Sequence, residues 1–316
     1  MQKFIETGGE TLFQSHKFSY MNHTLTQDLI FRFEAIKDDF AGVDNEGTKR
    51  SLILKNCEEL CSRYDERIAA NAMTIIHHYI SSGRISVEGL IHFLSLGREL
   101  DFQTILREER DGFDKEYGTT TSLILRQYEL PEQVSLHRFQ TSGRCHPSPV
   151  SSVKLALKAL GNYNVQYDQY IFIDVGSGLG RNLLLASDYP FKKIIGIEHS
   201  QYLYEITKEN LVLFQAKKQK TFPFELICTD ALEYPFPQEN IVFYFWRPFN
   251  EELAFEFIKR IESFIQTTEF NVILLVLGQV YAAVKQSKYL NVQDIFFTPD
   301  LLDEKDKYFP VSIYSV

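Results

Sequence analysis

Tyr170-Ile171-Phe172-Ile173-Asp174-Val175-Gly176-Ser177-Gly178-Leu179-Gly180-Arg181 is the stretch whose reading decides the fold of this chain. Tyr170 to Val175 is a short apolar run closed by glycines, which predicts a buried strand. Gly176, Gly178 and Gly180 alternate through the following turn, and Arg181 to Ser187 predicts a helix. A tight strand-to-helix turn needs residues without a Cβ wherever φ is positive or a ligand lies against the backbone. The helix start beyond it offers N–H groups and the positive end of a dipole. Lys193 to Glu198 predicts a second strand, and Phe224 to Thr229 a third, followed at once by Asp230. Asp174, Glu198 and Asp230 are therefore expected at the carboxyl ends of successive strands, converging on the crevice where open α/β sheets bind ligands.

A dinucleotide fold would carry G-x-G-x-x-G at such a turn, with a pyrophosphate on the helix N-terminus. Here the spacing is G-x-G-x-G with an acid in front. An acid there repels a pyrophosphate and suits a ligand that carries a positive charge. The pattern resembles motif I of the class I S-adenosylmethionine (SAM)-dependent methyltransferases. The resemblance implies that Asp174, Gly176, Ser177, Gly178 and Gly180 form the loop under the methionine and ribose portion of SAM. It implies that Glu198, with His199 beside it, holds both ribose hydroxyls through its two carboxylate oxygens. It also implies that Asp230, followed by Ala231, accepts from the adenine amino group. At family level, residues 108 to 316 look like a group of bacterial class I methyltransferases of mostly unassigned substrate. The shared stretches are Phe113-Asp114-Lys115-Glu116-Tyr117-Gly118, Pro147-Ser148-Pro149, Phe191 to Glu198, and Pro248-Phe249. A nicotinamide site and a plain α/β turn with surface acids are the competing readings of the same residues.

At 316 residues the chain has room for one large domain or two small ones. A net charge of −9 and a pI near 5.5 disfavour broad nucleic-acid binding, whose footprint is a basic face, while leaving room for a local basic groove. Four cysteines in this length do not make a disulfide scaffold. No secretory signal is visible, and the longest apolar run, Val272 to Val284, is interrupted by Gly278 and Gln279 and is too short to span a membrane. The expectation is a cytoplasmic protein without a membrane span.

Four segments are expected: a flexible arm over 1–21, a helical subdomain over 22–110, a connecting or cap loop over 111–149, and a SAM-dependent methyltransferase domain over 150–316. Thr24-Leu25-Thr26-Gln27 has the capping-box form. Leu25, Leu29, Phe33, Ile36 and Phe40 then mark one apolar helix face. Residues 49 to 80 lack Gly and Pro and predict one long amphipathic helix or two with a small break. Cys57 and Cys61 form C-x3-C with His77 and His78 downstream, but both cysteines lie on the apolar stripe and read as small buried hydrophobes, so no metal is assigned. Ser86 to Leu96 predicts a short helix with Ser86 as N-cap and Gly97 as its stop, and Leu100 to Arg110 a further helix. The helical region reads first as packing and second as a gate over the substrate.

Candidate residues on the substrate side are His146, Trp246 and Arg247. His146 sits in Gly143-Arg144-Cys145-His146-Pro147 and is either a general base or a histidine in a surface turn. Trp246-Arg247-Pro248-Phe249 follows a fourth predicted strand, Ile241 to Phe245. The resembled family commonly has Asn-Pro-Phe there, so Arg247 stands where Asn would be. Arg247 either clamps a carboxylate or phosphate of the substrate or pairs with Glu251 or Glu252. Asn271 to Leu277 predicts a buried strand, and Val292 to Phe297 with Val311 to Val316 an antiparallel edge hairpin.

The expected fold class is α/β: a Rossmann-like, mostly parallel class I methyltransferase sheet with an N-terminal helical subdomain. The resemblance implies transfer of the SAM methyl group, by in-line displacement, to a protein or small-molecule acceptor. The alternative is a catalytically silent SAM-binding protein acting through its helical region.

Overall fold

The computed structural model describes residues 25–43, 45–64, 66–81, 83, 86–95, 104, 107–127, 130–132, 144–163, 165–296 and 310–316. The arm over 1–21, Thr24, Gly97 and Gly143 lie outside them. Two compact units are present, one built from residues 1–99 with 128–133, the other from 100–127 with 134–316.

The first unit is helical: α1 Leu25–Ala41, α2 Glu46–Cys61, α3 Glu66–Ser81 and α4 Val87–Ser95. α1 packs on α2 and α4, and α2 on α3. Leu29, Phe33 and Phe40 of the predicted stripe are buried, joined by Ile30. The stretch over 49–80 is two helices; Asn45 caps the first by accepting from Gly47 N and Thr48 N. Ser86 Oγ accepts from Gly89 N at 3.1 Å and caps α4. Cys57 and Cys61 are buried on α2, and burial pushes both thiols up, Cys61 to about 11.

The second unit holds a seven-stranded sheet in the order β3-β2-β1-β4-β5-β7-β6. The strands are β1 Tyr170–Val175, β2 Lys193–Glu198, β3 Phe224–Cys228, β4 Asn240–Phe245, β5 Val272–Leu277, β6 Asn291–Phe296 and β7 Val311–Ser315. β1 pairs in parallel with both β2 and β4, so the winding reverses between β1 and β4. β7 lies antiparallel between β5 and β6. The helices of this unit are α5 Phe113–Tyr117, α6 Val150–Ala159, α7 Arg181–Ala186, α8 Gln201–Lys218, α9 Glu251–Thr267 and α10 Ala282–Gln286. α5 falls in the region expected to be loop; Gly112 and Gly118, both at positive φ, bracket its single turn. Each element bound lies within two residues of expectation in the sheet itself.

Strand parity explains the layering. β1 and β5 are buried along their whole length, as strands covered on both faces must be. Ile171, Ile173 and Val175 point to one face, against Phe257, Ile258 and Ile261 of α9. Phe172 points to the other, against Leu157 of α6, Leu184 of α7 and Phe214 of α8. Asp174 shares parity with Phe172, Glu198 with Ile194, and Trp246 with Tyr244. The period of two thus aims all three side chains at the α6–α7 side of the sheet. No helix among the described residues is long and apolar enough to cross a membrane.

Candidate functional site

The glycine turn is held by β2. Gly176 N and Ser177 N both donate to Ile197 O at 2.9 Å. Gly176, Gly178 and Gly180 have φ of 74°, 53° and 83°, the left-handed region that the alternating glycines predicted. Space is also closed there. A Cβ on Gly176 would lie 2.9 Å from Pro248 Cβ, and one on Gly180 2.6 Å from Thr207 Cγ2.

Two acids meet at this turn. Glu198 is buried; its Oε2 accepts from Gly178 N at 2.8 Å and its Oε1 from Ser200 N at 2.9 Å. His199 Nδ1 stands 3.3 Å from the same Oε1. Asp174 is buried and accepts from Asn182 Nδ2 at 3.0 Å. Burial pushes its carboxyl up to about 7, and the charge of Glu198 adds to that, against the opposing pull of the Asn182 bond. Asp174 and Glu198 line one pocket with Gly176, Ser177 and Gly178. The space around these residues is about 740 Å³ with open solvent included.

Asp230 does not share it. It stands exposed beyond the edge strand β3, with its Oδ1 accepting from Leu232 N at 2.8 Å. Ala231 is buried, and its carbonyl accepts from Arg260 Nη1 at 2.8 Å. So the structure brings two of the three strand-end acids together and leaves the third outside the lining of the pocket. Gly180 lies behind the turn, against Thr207, rather than in the lining.

His146, Trp246 and Arg247 all line the same pocket. The His146 ring meets the Trp246 ring edge-on, centroids 5.0 Å apart. His146 Nε2 lies 3.0 Å from Thr104 Oγ1, while its buried Nδ1 has no hydrogen-bond partner. Burial, then Arg144, Arg107, Arg181 and Arg126 in turn, hold the imidazole pKa well below its ordinary 6.5. It is a neutral ring at neutral pH. Arg247 is exposed, and its Nη1 donates to Gln279 Oε1 at 3.1 Å rather than to Glu251 or Glu252. Its φ is +48°, which is uncommon for a residue with a Cβ. Cys145 packs over Gly178, and burial pushes its thiol up to about 12, so it is no thiolate nucleophile.

Sequence reasoning passed over the scaffold beneath the pocket. Arg181, the first residue of α7, is buried. Its Nη2 meets Glu108 Oε2 at 2.6 Å, its Nε donates to Thr121 Oγ1 at 2.9 Å, and its Nη1 to Ser148 O at 3.2 Å. Thr121 is fixed in turn by Asp114, which accepts from Thr121 N at 2.8 Å and from Ser122 N at 2.8 Å. Asn210 of α8 clasps the same strip, accepting from Thr120 N at 2.7 Å and donating to Thr120 O at 3.1 Å. The signal was present in Asp114 followed by Thr119-Thr120-Thr121-Ser122, a carboxylate ahead of four hydroxyls.

No family model and no curated protein matches the chain. Solved structures do. The methyltransferase domain of bacterial CtHen1-C is similar over 53% of this chain and 97% of its own, at 15% identity and a TM-score of 0.40. An RNA methyltransferase from Salinibacter ruber, bound to S-adenosyl-L-homocysteine, is similar over 54% and 93%, at 14% identity and a TM-score of 0.37. A SAM-dependent methyltransferase from Aquifex aeolicus is similar over 52% and 93%, at 13% identity and a TM-score of 0.36. The strand order, and β7 running against its neighbours, define the fold. It is a Rossmann-like α/β fold with a mostly parallel sheet and an antiparallel edge. Within that fold the pocket stands outside the carboxyl ends of β1, β2 and β4, at the reversal of winding where open sheets of this kind bind ligands.

Proposed function

We propose that this chain is a SAM-dependent methyltransferase acting on a small-molecule or protein acceptor. The observation that carries the reading is the pair of buried carboxylates, Asp174 and Glu198, set around a turn of three positive-φ glycines. A pyrophosphate would meet two acids there. A cationic nucleoside meets charge complementarity, backbone without Cβ, and in Glu198 an acceptor with two oxygens for a diol. Asp174, Gly176, Ser177, Gly178, Glu198 and His199 would hold the donor, with Asp230 and Ala231 at the adenine end.

When bound, SAM supplies a methyl group from a sulfonium whose leaving thioether is neutral, so acid catalysis is not required. The chain's own part is to orient the acceptor and keep water out. His146 would take the proton that a protonated acceptor nucleophile gives up. With Nε2–H donating to Thr104 Oγ1, Nδ1 would carry the unshared lone pair, buried and without a hydrogen-bond partner in the free chain. Trp246 would pack against the acceptor beside that ring.

Calorimetry tests the reading. Saturable binding of SAM, loss of that binding in Glu198→Ala, and none for NAD are expected. Tight NAD binding without SAM binding would replace the methyltransferase with an oxidoreductase.

A further inference from the structure

The pocket is charged unevenly. Asp174 and Glu198 are buried in it, whereas Arg247 is exposed at its rim and Arg144 is half-buried there. Arg144, Arg107, Arg181 and Arg126 all act on His146, so positive charge gathers around this end of the pocket in a chain whose net charge is −9. Glu108 offsets part of it by pairing with Arg181 and Arg107. Arg247 has no such offset. Among the described residues its guanidinium donates to the neutral amide of Gln279 and meets no carboxylate.

Its backbone is also fixed in place. Arg247 takes a left-handed conformation, directly before a proline, where a Cβ costs free energy. The loop cannot relax downward, because Pro248 sits against Gly176 with no room for even a methyl group between them. On the far side, Phe249 N donates to Tyr281 Oη at 3.1 Å, and Tyr281 Oη donates back to Phe249 O at 2.8 Å. Non-glycine residues held in sparse backbone regions cluster at ligand clamps, where surrounding contacts enforce them. The chain thus anchors the backbone of an arginine and leaves its charge for something else.

We propose that the methyl acceptor is a small molecule bearing an anionic group, a carboxylate or a phosphate, gripped by Arg247 beside His146 and Trp246. This deepens the methyltransferase reading and rests on it for calling the ligand an acceptor. Guanidinium recognises either anion through paired N–H donors.

Trp246 is the single tryptophan of the chain and reports on this spot directly. The full chain is titrated with inorganic phosphate and, separately, with benzoate, at constant ionic strength, with chloride as control. A saturable change in Trp246 fluorescence is expected from one of the two anions, and which of them it is names the anion class. Arg247→Gln should weaken that binding by about tenfold or more, and Arg247→Lys by less. No saturable change beyond chloride, or equal affinity in Arg247→Gln, overturns the inference. SAM calorimetry on the same samples separates the two claims. Donor binding without anion saturation sinks this inference alone. Anion saturation without donor binding sinks the methyltransferase and with it the word acceptor, leaving an anion site at Arg247.

Discussion

Arg181 and Glu108 form an ion pair of 2.6 Å inside the sheet unit, with the arginine side chain only 3% exposed. Arg181 begins α7 directly after the glycine turn, and Glu108 belongs to the helical residues 107–111. The pair therefore ties the strip ahead of the sheet to the turn that forms the pocket. Its second role is electrostatic, since an unpaired guanidinium beside Asp174 and Glu198 would compete with a cationic ligand.

Arg181→Met should destabilise the sheet unit by about 2 kcal/mol, because half-buried Glu108 loses the closer of its two cationic partners and keeps only Arg107 at 3.5 Å. Adding Glu108→Gln should recover part of that loss. Urea denaturation of the single and double variants measures the coupling. A loss below about 1 kcal/mol for Arg181→Met would place the pair among surface contacts instead.

The raised pKa of Asp174 has a defined sign. The folded state keeps its proton up to about pH 7, whereas the unfolded chain releases it near the ordinary value of 3.8. Its contribution to stability is full below about pH 4 and is lost as pH rises through about 7. Asp174→Asn should flatten that part of the stability profile. Donor binding should run the opposite way: affinity for the cationic SAM rises as Asp174 ionises, by up to about tenfold per pH unit below 7. Neutral S-adenosylhomocysteine should show a weaker slope, and calorimetry across this range compares the two.

His146 should stay neutral through the range where an ordinary histidine titrates, because burial and the surrounding arginines disfavour its charged form. Imidazole carbon shifts followed by NMR from neutral pH downward should show His146 titrating well below the ordinary 6.5. A midpoint at or above 6.5 for His146 would show that burial and the surrounding arginines do not govern its titration.

Gly180→Ala combines a left-handed backbone with a contact of 2.6 Å to Thr207 Cγ2. The expected loss is about 2–3 kcal/mol, of which the backbone part is about 1. Thr207→Ser removes the offending methyl group. The double variant should therefore regain the steric part and keep the backbone part, as read from thermal midpoints.

Arg247→Asn should stabilise the chain by about 0.5–1 kcal/mol, since Asn tolerates a positive φ better than Arg does. Differential scanning calorimetry checks it. Unchanged or lower stability would mean that the bond to Gln279 outweighs the backbone strain.

The strands and the glycine turn were legible because their signals are local. A fully buried parallel strand has to be apolar at every position, and a turn at positive φ has to be glycine, so Tyr170 to Gly180 states its own conformation. Cys57 and Cys61 were legible for the same kind of reason, as they occupy helix positions that face inward. The helix α5 was not. It is a single turn set by Gly112 and Gly118, too short to carry a period.

What the sequence determined by itself was the order of elements, the placing of Asp174 and Glu198 at the ends of successive strands, and the glycines between them. Those follow from residues within a few positions of one another. Tertiary structure decided which acids meet: β3 is the edge strand, so Asp230 ends in solvent while Asp174 and Glu198 are covered. It also decided that Arg181 answers to Glu108 and Arg247 to Gln279, at separations in sequence of 73 and 32 residues. Charge pairing over such distances depends on how the chain packs, and local pattern carries no record of it.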